Sequence, residues 1–286
     1  MSPAPQPLAI EPPARAVRAL PPGAWQPLDL GEMWHYRELL WFLTLRDIRV
    51  RYKQTALGAL WAVLQPALTM VVFSLVFGRL AGIPTDGGIP YPIFAFAALL
   101  PWQLFAHALT QSSGSLVQNE RLITRVYFPR LIIPLASVAS GVVDFAISFV
   151  VLIAMMPFFG LRPSAGLLAL PVLVLMAVAS ALAVGVWLSA WNVQYRDVRY
   201  TIPFLTQIWL FATPVAYPSS LIPDRWRMLY GLNPMAGVVD GFRWALLGGA
   251  RPPGLPLLVS AIAVGILLLG GLYYFRRMER TFADRI

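Results

Sequence analysis

The sequence predicts an all-α integral membrane protein: six transmembrane helices, an N-terminal amphipathic interfacial helix and short external re-entrant helices. Three observations predict this class. Hydrophobic residues make up 58 % of the 286 positions and charged residues only 12 %, too little charge to solvate the surface of a water-soluble domain of this length. Apolar runs of the length needed to cross about 30 Å of hydrocarbon recur along the chain. The basic residues are sorted between the segments that join those runs.

Taken in order, residues 1–28 are rich in Pro and Ala and lack a basic start followed by an apolar stretch. They read as a disordered cytoplasmic tail and not as a signal peptide. Residues 29–54 form the next unit. Within it, residues 32–53 place Trp41, Leu45, Ile48 and Tyr52 on one helical stripe, with Arg46, Arg49 and Lys53 on a wetter neighbouring face. Such a helix suits the membrane interface. The six-helix transmembrane domain then occupies 55–286. Its strong apolar runs are 59–77, 131–159, 167–190 and 255–275. Two weaker runs complete six. Residues 91–113 carry Gln103, His107, Thr110 and Gln111, and residues 201–217 are short and contain Pro203 and Pro214. With both termini inside, 16 of the 22 basic residues fall on the cytoplasmic side, as the positive-inside rule requires. Residues 219–253 form the longest external connection, rich in Pro and Gly, and read as re-entrant half-helices.

Composition excludes several functions. The chain has no cysteine and only two histidines, His35 and His107, so disulfides, iron–sulfur clusters and a multi-histidine metal site are not expected. The net charge of +9 belongs to topology and lipid headgroups, not to nucleic acid. There is no G-x-x-x-x-G-K-[ST] phosphate loop, no G-x-S-x-G and no H-E-x-x-H. Asp144 is the clear intramembrane acid, whereas an ion-driven carrier usually carries several. The driving force is therefore expected from another subunit.

Residues 119–127 form a short loop with a distinctive pattern. Asn119 suits a helix N-cap and Glu120 the positive helix end. Arg121 and Arg125 share one face, and Leu122, Ile123 and Val126 the other. The pattern fits a positive-inside loop and equally a helix that docks in a groove on a partner. Asp144 has two readings, pairing at a helix contact or lining a passage. Asp240 and Arg243 lie three apart, a spacing at which they can pair with each other. Trp102, Phe105, Trp209, Phe211 and Tyr217 offer flat rings for the apolar faces of sugars, with His107, Gln103, Gln111 and Gln207 nearby for hydroxyls. The same rings serve helix packing or an interfacial belt equally well.

The segments Thr44–Lys53, Leu57-Gly58-Ala59-Leu60-Trp61, Gln65-Pro66, Asn119–Ile123, Tyr127–Arg130, Tyr195-Arg196-Asp197 and Asn233-Pro234-Met235, in this order and spacing, resemble the permease subunits of bacterial ABC exporters for O-antigen, capsule and teichoic-acid glycans. The likeness runs from about residue 30 onward. It implies a homodimer that binds two separate ATPase subunits, which hold the ATP and Mg, so that this chain carries no catalytic residue, cofactor or metal of its own. It implies an inner-membrane, multi-pass protein that moves a lipid-linked glycan. Residues 32–53 would be the gate helix, with Arg196 and Asp197 near that gate. Asn119, Glu120, Arg121, Leu122, Ile123, Arg125 and Tyr127 would couple to the ATPase. Residues 233–248 would close the external mouth. Rival readings are an exporter of a drug or simple lipid, a membrane enzyme acting on lipid-linked sugars, and a passive channel.

Overall fold

A computed structural model describes residues 30–53, 58, 60–161, 165–195, 197–248, 254–279 and 281–282. The expected tail, residues 1–28, lies outside them. Every regular element among the described residues is helical. The chain opens with α1 (Leu30–His35) and α2 (Arg37–Lys53), separated at Tyr36. Next comes α3 (Leu60–Phe73), which passes directly into a π-helical segment, Ser74–Leu80. The long α4 (Tyr91–Gln118) is followed by the short α5 (Glu120–Arg125). Then come α6 (Ile132–Met155), α7 (Leu170–Gln194) and α8 (Val198–Ala212). The short α9 (Asp224–Tyr230) and α10 (Pro234–Leu247) precede the last long helix, α11 (Leu255–Glu279).

Among the described residues, five stretches are long and apolar enough to cross a membrane: Leu60–Leu80, Tyr91–Gln118, Ile132–Phe159, Gly166–Gln194 and Leu255–Glu279. The sixth expected run is different. Helix α8 has 15 residues, about 22 Å at 1.5 Å per residue, short of the hydrocarbon thickness. It stops because Pro214 excludes Thr213 from the helical region. Thr213 is accordingly extended, at φ −104° and ψ 145°. Hydropathy counts apolar residues and passes over this break.

Helix α4 is the axis of the bundle. It packs against α7, α6, α10, α3 and α8. Its first half is an almost uninterrupted buried run, Ile93 to Leu100, rich in alanine. Small residues let neighbours approach. A Cβ on Gly185 of α7 would stand 2.1 Å from the Ser112 hydroxyl of α4, and one on Gly271 of α11 would stand 2.8 Å from the Trp187 ring of α7. Trp187 also donates its indole N–H to the Leu267 carbonyl at 3.0 Å and stacks on Tyr274. These contacts fix α11 to α7 and α7 to α4. The outward faces of α3, α7, α8 and α11 are strongly apolar, with Leu68, Val72, Leu175, Phe204, Ile208, Ile262, Ile266 and Leu269 all exposed. A surface of that kind is covered by lipid or by another protein surface.

A second, smaller core sits at the α5 end. Leu43, Leu116, Ile123, Phe128, Ile132, Val193, Phe275 and Phe282 pack together there. It joins α2, α5, α6, α7 and α11, the elements that carry most of the predicted coupling and gate residues.

Candidate functional site

The α5 end is built around a break in the α4 helix. Asn119 leaves helical geometry at φ −107° and ψ 26°. Its side chain turns back and donates to the Ser115 carbonyl at 2.8 Å. It therefore closes α4 and does not cap α5, contrary to the capping role the sequence suggested. In α5, Ile123 is buried and Leu122 half-buried, whereas Glu120, Arg121, Thr124 and Arg125 are exposed. Val126, expected on the buried face, is 52 % exposed, and Tyr127 is 81 % exposed. Arg121, Arg125, Val126 and Tyr127 thus form one outward surface that is both basic and apolar.

That surface is anchored from two sides. The backbone N–H of Arg130 donates to Glu279 Oε1 of α11 at 2.8 Å, and the Arg130 guanidinium donates to the Glu279 carbonyl. Arg276 holds the other oxygen of the same carboxylate at 3.2 Å. On the opposite side, the Tyr36 hydroxyl at the α1–α2 break reaches the Tyr127 carbonyl at 3.4 Å.

Helix α2 lies against α6. Leu43 and Thr44 are its buried residues. Trp41 points outward at 65 % exposed, and Arg49 and Lys53 are exposed too. Arg46 pairs with its neighbour Asp47 at 2.8 Å. The contact with the bundle is made further along. Arg51 donates to Asp144 Oδ2 of α6, and Tyr52 donates to Asp144 Oδ1. The second guanidinium nitrogen of Arg51 lies 2.5 Å from His107 Nε2 of α4 and 3.4 Å from Ser140 Oγ. Because a guanidinium only donates, His107 Nε2 is the acceptor there. Burial and the bond to Asp144 push the Tyr52 phenol up to about 12, so it remains a donor at any physiological pH.

Two polar clefts flank this cluster. One, of about 380 Å³, lies between α3, α4 and α6 and is lined by Gln65, Gln103, His107, Thr110, Gln111 and Asp144 among others. The other, of about 440 Å³, opens beside α2 and includes Arg46, Asp47, Arg51, Gln111, Gln118 and Asn119. Gln111 belongs to both linings, and the Arg51–Asp144 bridge stands between them.

The aromatic set falls into a chain of contacts. Trp102 and Phe105 are buried in α4, 5.4 Å apart between ring centroids. Phe105 meets the edge of Trp209 at 5.1 Å. The Trp209 indole donates to Asn233 Oδ1 at 3.0 Å. The Tyr217 hydroxyl bonds Tyr230 at 2.7 Å and the Phe211 carbonyl at 3.0 Å. Phe211 itself is 52 % exposed on α8. Asn233 serves several partners: it caps α10 by accepting from the Met235 N–H and donates to the Ala212 carbonyl. Asp197 is exposed at the start of α8, and Arg196 lies outside the described residues.

Asp240 and Arg243, which their spacing allowed to pair, form no salt bridge among the described residues, although each remains the strongest opposite charge acting on the other. Arg243 is 2 % exposed and gives its guanidinium to the carbonyls of Phe94, Pro214, Val215 and Tyr217. Its Cζ sits 3.6 Å from the centre of the Phe94 ring. Asp240 takes a hydrogen bond from Ser219 instead. The sequence did not single out Arg51, Arg130, Glu279 or Asn233 as contacts between elements. The one available signal was the lone acid in an apolar helix, Asp144, which demands a partner.

Comparison with known proteins adds the wider frame. Residues 38–247 match the family described as ABC-2 type transporter. The chain is 31 % identical to the O-antigen export system permease protein RfbA of Myxococcus xanthus over 258 residues, covering 89 % of this chain and 98 % of that protein. It is 27 % identical to an O-antigen export system permease protein RfbA of Klebsiella pneumoniae over 86 % of this chain and 94 % of the relative. It is 24 % identical to the polysialic acid transport protein KpsM of Escherichia coli over 84 % and 93 %.

Proposed function

The chain belongs to the ABC-2 type transporter family, and from that premise we propose that it is the transmembrane subunit of an ATP-driven exporter of lipid-linked polysaccharide. One observation carries the cargo assignment. The similarity to O-antigen and polysialic acid permeases extends over nearly the full length of those proteins, so it includes the bundle and the external hairpin as well as any shared docking element. ATP and its Mg would be held by a separate partner subunit, since the sequence has no phosphate loop.

In this reading the protein sits in the bacterial inner membrane with both termini inside. The α8 segment, extended by residues 213–217, makes the sixth crossing beside the five long ones. Residues 233–248, which contain α10, form a re-entrant cover at the outer mouth. Two copies face each other across a two-fold axis, because six helices from one chain pack around side chains and not around a passage wide enough for a sugar chain. Helix α5 with Tyr127 seats in the ATPase, α2 acts as the gate, and Trp102, Phe105, His107, Trp209, Phe211 and Tyr217 border the glycan path. The exposed apolar faces of α3 and α8 support the two-copy arrangement.

The test is deletion of the gene in its own host, with surface glycan and internal lipid-linked glycan profiled together. Loss of one surface polymer with internal accumulation of its precursor is expected. Unchanged surface glycan in a host without a second exporter overturns the assignment in favour of drug or simple-lipid export.

A further inference from the structure

We propose that the Arg51–Asp144 bridge is a latch that opens in each transport cycle, and that its opening joins the two polar clefts beside it into one groove. The proposal rests on the export reading above and adds a moving part to it. Asp144, with Arg51 and Tyr52, is in this sense a positioning residue for α2.

Four observations carry it. First, the bridge is placed where a gate bar would be. The upper cleft contains Asp144 and His107, the lower contains Arg51 and Ser140, and both reach Gln111. The Arg51 guanidinium closes the space between them by touching Asp144, His107 and Ser140 at once. With that one side chain withdrawn, the amides and hydroxyls of Gln65, Gln103, Thr110, Gln111, Gln118 and Ser140 border one groove together with apolar walls that include Trp102 and Phe145, a mixed chemistry that suits the hydroxyls and the apolar faces of a sugar chain.

Second, the pair is built to separate. The Arg51 and Asp144 side chains retain 25 % and 26 % of their exposure. Each borders a polar cleft, so both ends regain polar surroundings when they part. A fully dry ion pair has no such return, and its separation is opposed by the whole cost of uncovering two charges.

Third, the end of α2 that carries Arg51 is less deeply packed than its middle, where Leu43 and Thr44 are buried. Its packing is chiefly on α6, and only Leu43 and Thr44 are buried along it. The residues Trp41, Phe42 and Val50 face outward. The bonds of Arg51 and Tyr52 to Asp144 are therefore a large part of what holds the far end of α2 down.

Fourth, α2 is mechanically connected to the surface where a partner would push. Tyr36, at the start of α2, bonds the carbonyl of exposed Tyr127 in the loop after α5. A displacement of that loop reaches α2 at one end while Arg51 holds the other.

The chain has no cysteine, which makes the test clean. Tyr52→Cys and Asp144→Cys together replace the latch by two thiols that the length of the Tyr52 side chain holds too far apart for a direct disulfide, so a bifunctional maleimide with a disulfide in its spacer bridges them and reduction releases them. Inverted membrane vesicles from the native host, which supplies the partner, are given ATP, and movement of lipid-linked glycan is measured before cross-linking, after cross-linking and after reduction. Vesicles with the unaltered chain, which has no cysteine, are treated in parallel to record any effect on the partner. Export lost on cross-linking and regained on reduction is the expected result. Equal export in both states overturns the latch, and so does failure of the reagent to bridge the two positions. Failure of the unaltered vesicles to export any glycan counts against the export reading and not against the latch.

The groove has its own readout. Gln103→Cys places a thiol in the upper cleft, and a membrane-impermeant maleimide is supplied from the α5 side. Labelling faster during ATP turnover, and faster still with Asp144→Asn added, is expected. Labelling unaffected by both changes overturns the joining of the clefts.

Discussion

Arg243 and Arg51 are held in opposite ways within this bundle. Arg243 is enclosed by α10 and the segment after α8, and four neutral carbonyls together with the Phe94 ring surround its charge. Arg51 is a quarter exposed and faces a carboxylate. Carbonyl dipoles belong to the backbone and cannot leave, so a cation solvated by them welds the segments that supply them. In Arg243 these are the start of α4 and the whole stretch 214–217. A carboxylate on another helix is a partner that can be exchanged. The segment after α8 and α10 is thus a fixed structure and the α2 contact a breakable one, although both use the same side chain.

The largest expected effect follows from removing the fixed cation. Arg243→Leu leaves several buried carbonyls without donors, at a cost of at least about 4 kcal/mol. Thermal unfolding of the detergent-solubilised protein, followed by tryptophan fluorescence, should show a fall in midpoint large enough to prevent recovery of folded protein at growth temperature. Recovery in normal yield breaks the comparison. Arg51→Leu should cost less, about 1–3 kcal/mol, because the Asp144 carboxylate left behind still has the Tyr52 donor and a polar cleft. The same melting experiment sharpens the contrast, since the ratio of the two losses measures how much more Arg243 is embedded.

The smallest stability effect, within about 0.5 kcal/mol, is expected for Arg121→Glu combined with Arg125→Glu, both exposed on α5. Their effect should appear in association instead. Copurification of the ATPase partner is expected to be lost while the melting midpoint is unchanged. Undiminished copurification removes α5 from the docking surface.

Much of the fold was readable from residue order because spanning runs are a local signal. Four strong runs and residues 91–113 all became helices, with α4 continuing five residues further to Gln118. That extension was hidden by polar residues at the end of the run, which hydropathy reads as a loop although nothing in them stops a helix. The opposite error occurred in the run 201–217, where apolar composition continues past the proline that ends α8. Side-chain roles at the site were less legible. Asp144 and Arg51 are 93 positions apart, and no periodicity within one helix reports which neighbour it meets. Of the stripe Trp41, Leu45, Ile48 and Tyr52, the Tyr52 hydroxyl reaches Asp144 while Trp41 points outward, and the residues α2 buries are Leu43 and Thr44, which periodicity of the stripe does not mark. Asn119 misled for a related reason: a good capping residue also serves to close the preceding helix when a free carbonyl, here that of Ser115, is nearer.

The bond between Arg130 and Glu279 spans 149 positions of chain. At about 5–20 residues per second of synthesis, Arg130 is made roughly 7–30 seconds before Glu279. Throughout that interval the surface around Tyr127 lacks one of its two anchors. On the docking proposed above, an ATPase subunit would therefore meet an incomplete seat on every nascent copy and a complete one only after α11 is made, so the order of translation itself would delay the pairing of motor and membrane bundle until the bundle is whole.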